Sequence, residues 1–515
     1  METLNVLWFK RDLRLRDHDA LRAAAQGGRV LPLYCVEPGY WALPDTSYRH
    51  WNFIRGAVAD LQASIADHGG TLKVRVGDID DVLNTIYETH GPFHLHAHRE
   101  TGNWWTFERD KRVHRWCATR GVVFTEHLQH GIWRGGELNR DKWAADWDGM
   151  MGEPIRSVPF PIHWEPCESD VLPGADALGL AHDGLEHTQE PGRDAALETL
   201  RSFLYERGET YQRAMSSPLA GADACSRLSV HLAAGSISIR EAYHAALKRQ
   251  REVAGLPANL KGDWPKALQS FIGRLHWHCH FMQKLEAEPE LEWLPMARAY
   301  KDLRTTDAWN PKHLEAFEQG TTGYPFVDAC LRSLKATGWI NFRMRAMLMS
   351  FASYDLWLPW QESGKVLARW FTDYEPGIHW PQSQMQSGET GINTVRVYSP
   401  VKQGYDQDPD GVFIKRWVPE LSGLEGKDLH EPWRLTLPLA DYPDPIVDHK
   451  KAVAKAKAAL FAVRQTAEAK AEAKRVFEKH GSRKRRGRPA RKAAPKRPTG
   501  DERQAEFSLA PAKGI

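Results

Sequence analysis

Residues 274–283 read RLHWHCHFMQ, in which His276, His278 and His280 alternate with Trp277 and Cys279. Imidazoles at this density could bind a metal, relay protons or touch phosphates. The spacing argues against a metal. On a helix, alternate positions turn by about 200° and do not converge on one ion as an i, i+4 pair would. A strand would put all three on one face, but the flanking FIGRL and FMQKLEAE carry helical periodicity. A second stretch, Cys225-Ser226-Arg227-Leu228-Ser229, precedes the apolar HLAAG. Small hydroxyl side chains and free backbone N–H groups at a helix start suit a pyrophosphate, the plainer alternative being a simple N-cap. A third, GSRKRRGRPARKAAPKRP at 481–498, holds nine Lys/Arg and no acid. Without it the formal charge of +3 becomes −6, so the basic character resides in a tail.

The elements that must position these groups follow from composition and period. The 515 residues, 42% apolar and 26% charged, suffice for two or three domains with real cores. No apolar run approaches the length of a membrane span, and the start turns charged too early for a secretory signal. Six scattered cysteines without a C-x-x-C pair suit free thiols in a reducing cytosol, so a cytoplasmic location is expected. Most of the twenty-one tryptophans must be packing residues, but such density also suits a protein that moves electrons or stacks on flat ligands.

LNVLWF (4–9) and VLPLYC (30–35) read as short buried strands, and TLKVRVG, FHLHAHRE and VVFTEHL continue the alternation with helical segments between them. This predicts a Rossmann-like α/β domain over 1–134, a parallel sheet with helices on both faces. Residues 135–195, rich in Trp, Gly, Pro and Asp, read as an interdomain connector. An all-helical domain follows over 196–430. A C-terminal helical extension covers 431–480, with 446–480 expected as one helix, and a basic disordered tail covers 481–515.

WFKRDLRLRDHDAL (8–21), RETGNWWTFERDKRVHRWC (99–117), EHLQHGIW (126–133) and above all TGYPFVDACLRSLKATGWINFRMRAML (322–348) resemble the DNA photolyase/cryptochrome family. The resemblance runs through most of residues 1–430. It implies FAD in the helical domain and a possible second antenna chromophore, of folate or deazaflavin type, in the N-terminal domain. Tyr211, Cys225, Ser226, Arg227, Leu228, Ser229, Arg345, Asp373 and Glu375 fall on the family's flavin-binding positions, Cys225 in place of a threonine. His379 stands where the family has an asparagine near flavin N5. It is expected to donate there and to titrate between about pH 5 and 8.

The family's tryptophan chain is cut at Ser383, while Trp360 and Trp309 match its other positions and Trp380 or Tyr374 offer a detour. RLHWHCHF aligns with the helix of the lesion pocket. Trp277 falls on the tryptophan that stacks a flipped-out dimer, Arg274 replaces a glutamate and His278 an arginine. The histidines are therefore expected to touch substrate, flavin or phosphodiester. Phe342, Arg343 and Gln403 are further expected DNA contacts. Asn341-Phe342 is closer to dimer photolyases than to those for (6-4) lesions, which carry paired histidines. No cysteine follows Cys330, so neither an iron–sulfur cluster nor any other metal is expected. RKRRGRPARK, with Arg486 and Arg488, resembles an AT-hook; the alternative is a nonspecific basic arm. The implied activity is light-driven splitting of cyclobutane pyrimidine dimers in DNA by a monomer that touches no membrane. The alternatives are a cryptochrome-like photoreceptor and a light-independent DNA-binding flavoprotein.

Overall fold

The computed structural model describes residues 3–305 and 309–482. Five parallel strands, β1 (Leu4–Phe9), β2 (Arg29–Val36), β3 (Lys73–Val76), β4 (His94–His98) and β5 (Val123–His127), form a sheet of order β3-β2-β1-β4-β5. All six residues of β1 are buried, as a central strand covered on both faces requires. The order of winding reverses at β1, with β2 on one side and β4 on the other. The crevice beyond the strand ends there, at Lys10, Arg11, Glu37 and Glu100, is the usual ligand position of such a sheet.

The helical domain is organised around Trp264–Ala287, which carries all of RLHWHCHF and is confirmed as helix. It packs against Pro376–Ser387 so closely that a Cβ on Gly377 would lie 2.9 Å from the Met282 backbone. Two expectations need correcting. The stretch 135–195 is not merely a connector: Trp143–Gly152 is a helix whose buried Trp143 and Trp147 belong to the helical core. The stretch 446–480 is two helices, His449–Gln465 and Ala467–His480. Thr466 is extended between them, and its hydroxyl accepts the Ala469 N–H. A β-branched residue that can cap is a natural break. The tail, including Arg486 and Arg488, lies outside the described residues.

The two domains share one interface. In the short helix Ser229–Ala234, Val230 and Ala234 complete the core of the sheet domain. Gly235, at φ +76°, lets the backbone of Arg11 and Asp12 approach where any Cβ would sit 2.3 Å from the Arg11 carbonyl. Arg240 donates to Asp17 at 2.7 Å, and Arg49 binds Asp183 and the Leu334, Lys335 and Trp370 carbonyls.

Candidate functional site

The loop 225–229 is held from behind by Arg207. Its guanidinium donates to the carbonyls of Asp223 (2.7 Å), Ser226 (2.7 Å) and Cys225. Arg227 takes φ +60°, a left-handed conformation uncommon for a residue with a side chain, which persists where surroundings impose it. Gln189 donates to its carbonyl at 2.9 Å, and its guanidinium lies 4.1 Å over the Trp339 ring. Burial presses Arg227 down to about 10, and among the described residues no carboxylate lies within ion-pair distance of it. Burial also pushes the Cys225 thiol up to about 11, against the charges of Arg227, Arg207, Arg274 and Arg345.

A buried guanidinium without a carboxylate partner, Arg227, calls for an anion, so the residues present fit the diphosphate of FAD. The fit differs from expectation in one respect. The helix that follows has only six residues, so the arginines rather than a helix dipole carry the attraction.

Arg345 and Asp373 form a bidentate pair, both bonds 2.9 Å, and the Arg345 guanidinium lies 4.1 Å over Phe371. Burial alone would raise Asp373, but Arg345 outweighs it and holds the carboxyl below its ordinary range. The Asp373 carboxylate is thus held in its charged form. Glu375, expected at the flavin, instead meets Arg11 of the sheet domain at 2.9 Å. A sequence pattern gives a carboxylate but not the side to which it turns.

His379 also departs from expectation. Its Nε2 lies 2.9 Å from the Gly364 carbonyl, which can only accept, so Nε2 carries the proton. Burial presses the imidazole down to about 4. At neutral pH Nδ1 therefore has a lone pair and no proton to donate.

Of the electron-transfer candidates, Trp380 and Trp360 lie 5.9 Å apart, ring centroid to centroid, and His379 sits between Trp380 (4.8 Å) and Tyr374 (5.4 Å). Trp360 donates its indole N–H to Glu389 at 3.0 Å. Trp309 and Trp380 line a cleft of about 1010 Å³ between the domains, together with Trp104, Trp105, Trp293 and Lys301.

Trp277 is half-buried, edge-on to His280 at 4.8 Å and tilted toward Phe281 at 5.9 Å. On the neighbouring face Arg274 reaches over Phe342 at 5.5 Å, bonds the Met215 sulfur at 3.8 Å and meets Tyr211. Phe342 is 42% exposed, half-buried Arg343 follows it, and Asn341 donates to the Met215 carbonyl at 3.0 Å. Arg274, Phe342 and Tyr211 are therefore one cluster, and Trp277 follows Arg274 by one turn on the same helix.

The histidines divide differently. His276 packs edge-on against Trp143 and Trp147, both at 5.0 Å, and His280 meets Arg140 at 2.7 Å. His278 faces His130 at 5.8 Å and is held near 4 by burial and then Arg11, so it points to the domain interface rather than to the Trp277 mouth. His276 and His280 thus pack against Trp143, Trp147 and Arg140, while His278 faces His130. Gln403 is buried in Pro400–Gln407.

Sequence reasoning missed Arg207, Gln189, Trp339 and Asp45, whose partners are remote in the chain. It also missed the buried trio Asp12, His18 and His98. His18 Nδ1 accepts the Leu21 N–H at 3.0 Å, so Nε2 carries the proton toward Asp12 and is not a metal ligand.

The comparisons with known proteins agree with this geometry. A family model described as DNA photolyase matches residues 5–145, and one for the FAD binding domain of DNA photolyase matches 271–462. The deoxyribodipyrimidine photo-lyase of Escherichia coli K12 is 30% identical over 90% of this chain and 99% of its own length. A cryptochrome DASH of Gloeobacter violaceus is 27% identical over 95% and 99%. The crystal structure of a bacterial class III photolyase from Agrobacterium tumefaciens superposes with a TM-score of 0.76 at 26% identity, over 90% of this chain and 98% of that one.

Proposed function

Since the chain belongs to the DNA photolyase/cryptochrome family, we propose that it is a light-dependent flavoenzyme that splits cyclobutane pyrimidine dimers in DNA. The observation that carries the reading is the half-buried Trp277 one helical turn from Arg274, which itself meets Tyr211 and the exposed Phe342. A damaged base pair stacks poorly, costs little to extrude and gains contact with an aromatic face. Trp277 and Phe342 supply such faces.

Bound FAD would supply a light-driven electron. The chain's residues do the rest. Arg207 fixes the loop that meets the diphosphate, with Arg227 and Ser226 as its partners. The Arg345–Asp373 pair offers a fixed donor and acceptor to a flat ring, and His379 offers a lone pair rather than a proton. Tyr211 and Arg274 border the passage to Trp277, and Arg343 gives the strand a phosphate partner. Gln403, already buried, contributes from behind. A second chromophore of folate type suits the 1010 Å³ cleft and its tryptophans. A deazaflavin at the sheet crevice would face only about 80 Å³.

One observation favours a photoreceptor instead: a cation, Arg274, occupies the family's glutamate position and closes onto Phe342. Illumination of the reduced protein with dimer-containing oligonucleotides separates the two readings. Restored thymine absorbance supports repair; its absence, with the flavin still cycling, supports signalling.

A further inference from the structure

Tyr374 donates its phenolic hydrogen bond to Oδ2 of Asp45 at 2.6 Å, across the domain interface. Both groups are buried, at 7% and 4% exposure. Asp45 belongs to the sheet domain, and its other donor is the Asn103 amide at 3.4 Å. Among the described residues no cation lies within ion-pair distance of Asp45. By contrast Glu389, the acceptor of the Trp360 indole, is already bound by Arg304. Asp45 also lines the large cleft, as does Glu292, so a proton that reaches it has a route outward.

Tyr374 has the neighbours a relay needs. His50 stacks on it at 5.7 Å, and His379 lies edge-on at 5.4 Å with Trp380 beyond at 4.8 Å. The charged and titratable groups facing its hydroxyl are Asp45, Glu292 and Tyr40. Burial, and then the charge of Asp45, hold the phenol well above its ordinary range. The proton therefore stays on Tyr374 until an electron leaves.

We propose that Tyr374 and Asp45 form a proton-coupled electron donor, the inner source for flavin reduction in a chain whose usual tryptophan position is Ser383. This rests on the reading of the protein as a light-driven flavoprotein. The ring of Tyr374 gives one electron to a light-excited flavin or to the oxidised indole of Trp380. The phenolic O–H bond breaks as an O–H bond forms on Asp45, which leaves a neutral tyrosyl radical and a neutral carboxylic acid. The acceptor is reduced by one electron, so charge and protons balance. A phenol that had to keep its proton would be a far poorer donor.

The test uses full-length protein with its FAD, flash photolysis and electron paramagnetic resonance of trapped radicals. The wild type should give a neutral tyrosyl radical whose formation slows in D2O. Tyr374→Phe should lose that signal, and Asp45→Asn, which keeps a hydrogen-bond acceptor but no base, should lose it or lose its D2O dependence. In the dark, the Cζ resonance of 13C-labelled Tyr374 should shift in Asp45→Asn, as a purely photochemical artefact would not. Retained FAD and circular dichroism exclude misfolding. Flavin reduction with tryptophanyl radicals alone, or an unchanged tyrosyl rate and isotope effect in Asp45→Asn, overturns the proposal and leaves the function standing. No light-driven flavin reduction of any kind overturns both.

Discussion

His379 gives its Nε2 proton to the Gly364 carbonyl 2.9 Å away, and this bond fixes which face of the imidazole is available to a ligand. With the imidazole pressed down to about 4 by burial, it does not titrate in the physiological range. Light-driven flavin reduction should therefore be flat between about pH 5 and 8, and His379→Asn should leave it flat. A steep wild-type profile that the substitution abolishes would show that His379 does titrate there.

Trp277→Ala should lose lesion discrimination and keep FAD, because Arg207, Arg227 and Arg345 lie on other elements. One stacking contact is worth about 1–3 kcal/mol per base, so affinity for dimer DNA should fall about 5- to 150-fold. Equal affinity for damaged DNA in a protein that is still yellow would place the lesion site elsewhere.

Trp360 stands 5.9 Å from Trp380 and is the outer neighbour of that ring. Trp360→Phe should slow photoreduction, and Ser383→Trp should speed it by restoring a relay ring. Transient absorption checks both, and an unchanged rate in Trp360→Phe would exclude Trp360 from the route.

Acid should destabilise the domain interface. His50 and His278 are each held near 4 by burial, against an ordinary value near 6.5. Their folded values are depressed, so the unfolded chain takes up protons first as pH falls. Their contribution is complete above about 6.5 and is lost down to about 4, at about 1.4 kcal/mol per pH unit for each histidine. Urea unfolding between those limits should show stability rising with pH, and His278→Asn should flatten the slope by about one proton. A slope equal to that of the wild type would mean that His278 is protonated when folded.

A chain ended at Ser482 should retain flavin and repair dimers when DNA is saturating, but bind dilute DNA poorly. Loss of four phosphate contacts would flatten the slope of log K against log salt by about 3.6. If Arg486-Gly487-Arg488-Pro489 reads A·T-rich minor grooves, Arg488→Ala alone should remove that preference. An unchanged salt slope after truncation would assign the tail another partner.

The strands were legible because a covered parallel sheet writes itself as short apolar runs: β1 is LNVLWF as read, Leu4 to Phe9. The helix of RLHWHCHF was equally plain from period. What did not show was direction. Periodicity could not say that Glu375 turns to Arg11, that His278 turns to His130, or that Thr466 would cap rather than continue a helix. Arg207 and Asp45 were invisible for a related reason. Their partners are a loop 16 to 19 residues on and a tyrosine 329 residues away, and neither separation has a local signature.

The sharing of Ser229–Ala234 between the two domains has an optical consequence. Val230 and Ala234 sit in one core while Ser229 bonds Asp373 of the flavin cradle, with the Gly235 contact alongside. A dye in the cleft and a flavin in the helical domain would be mounted on a single rigid bench. The separation and the angle between their transition dipoles would be set when the chain folds, and every absorbed photon would meet the same alignment.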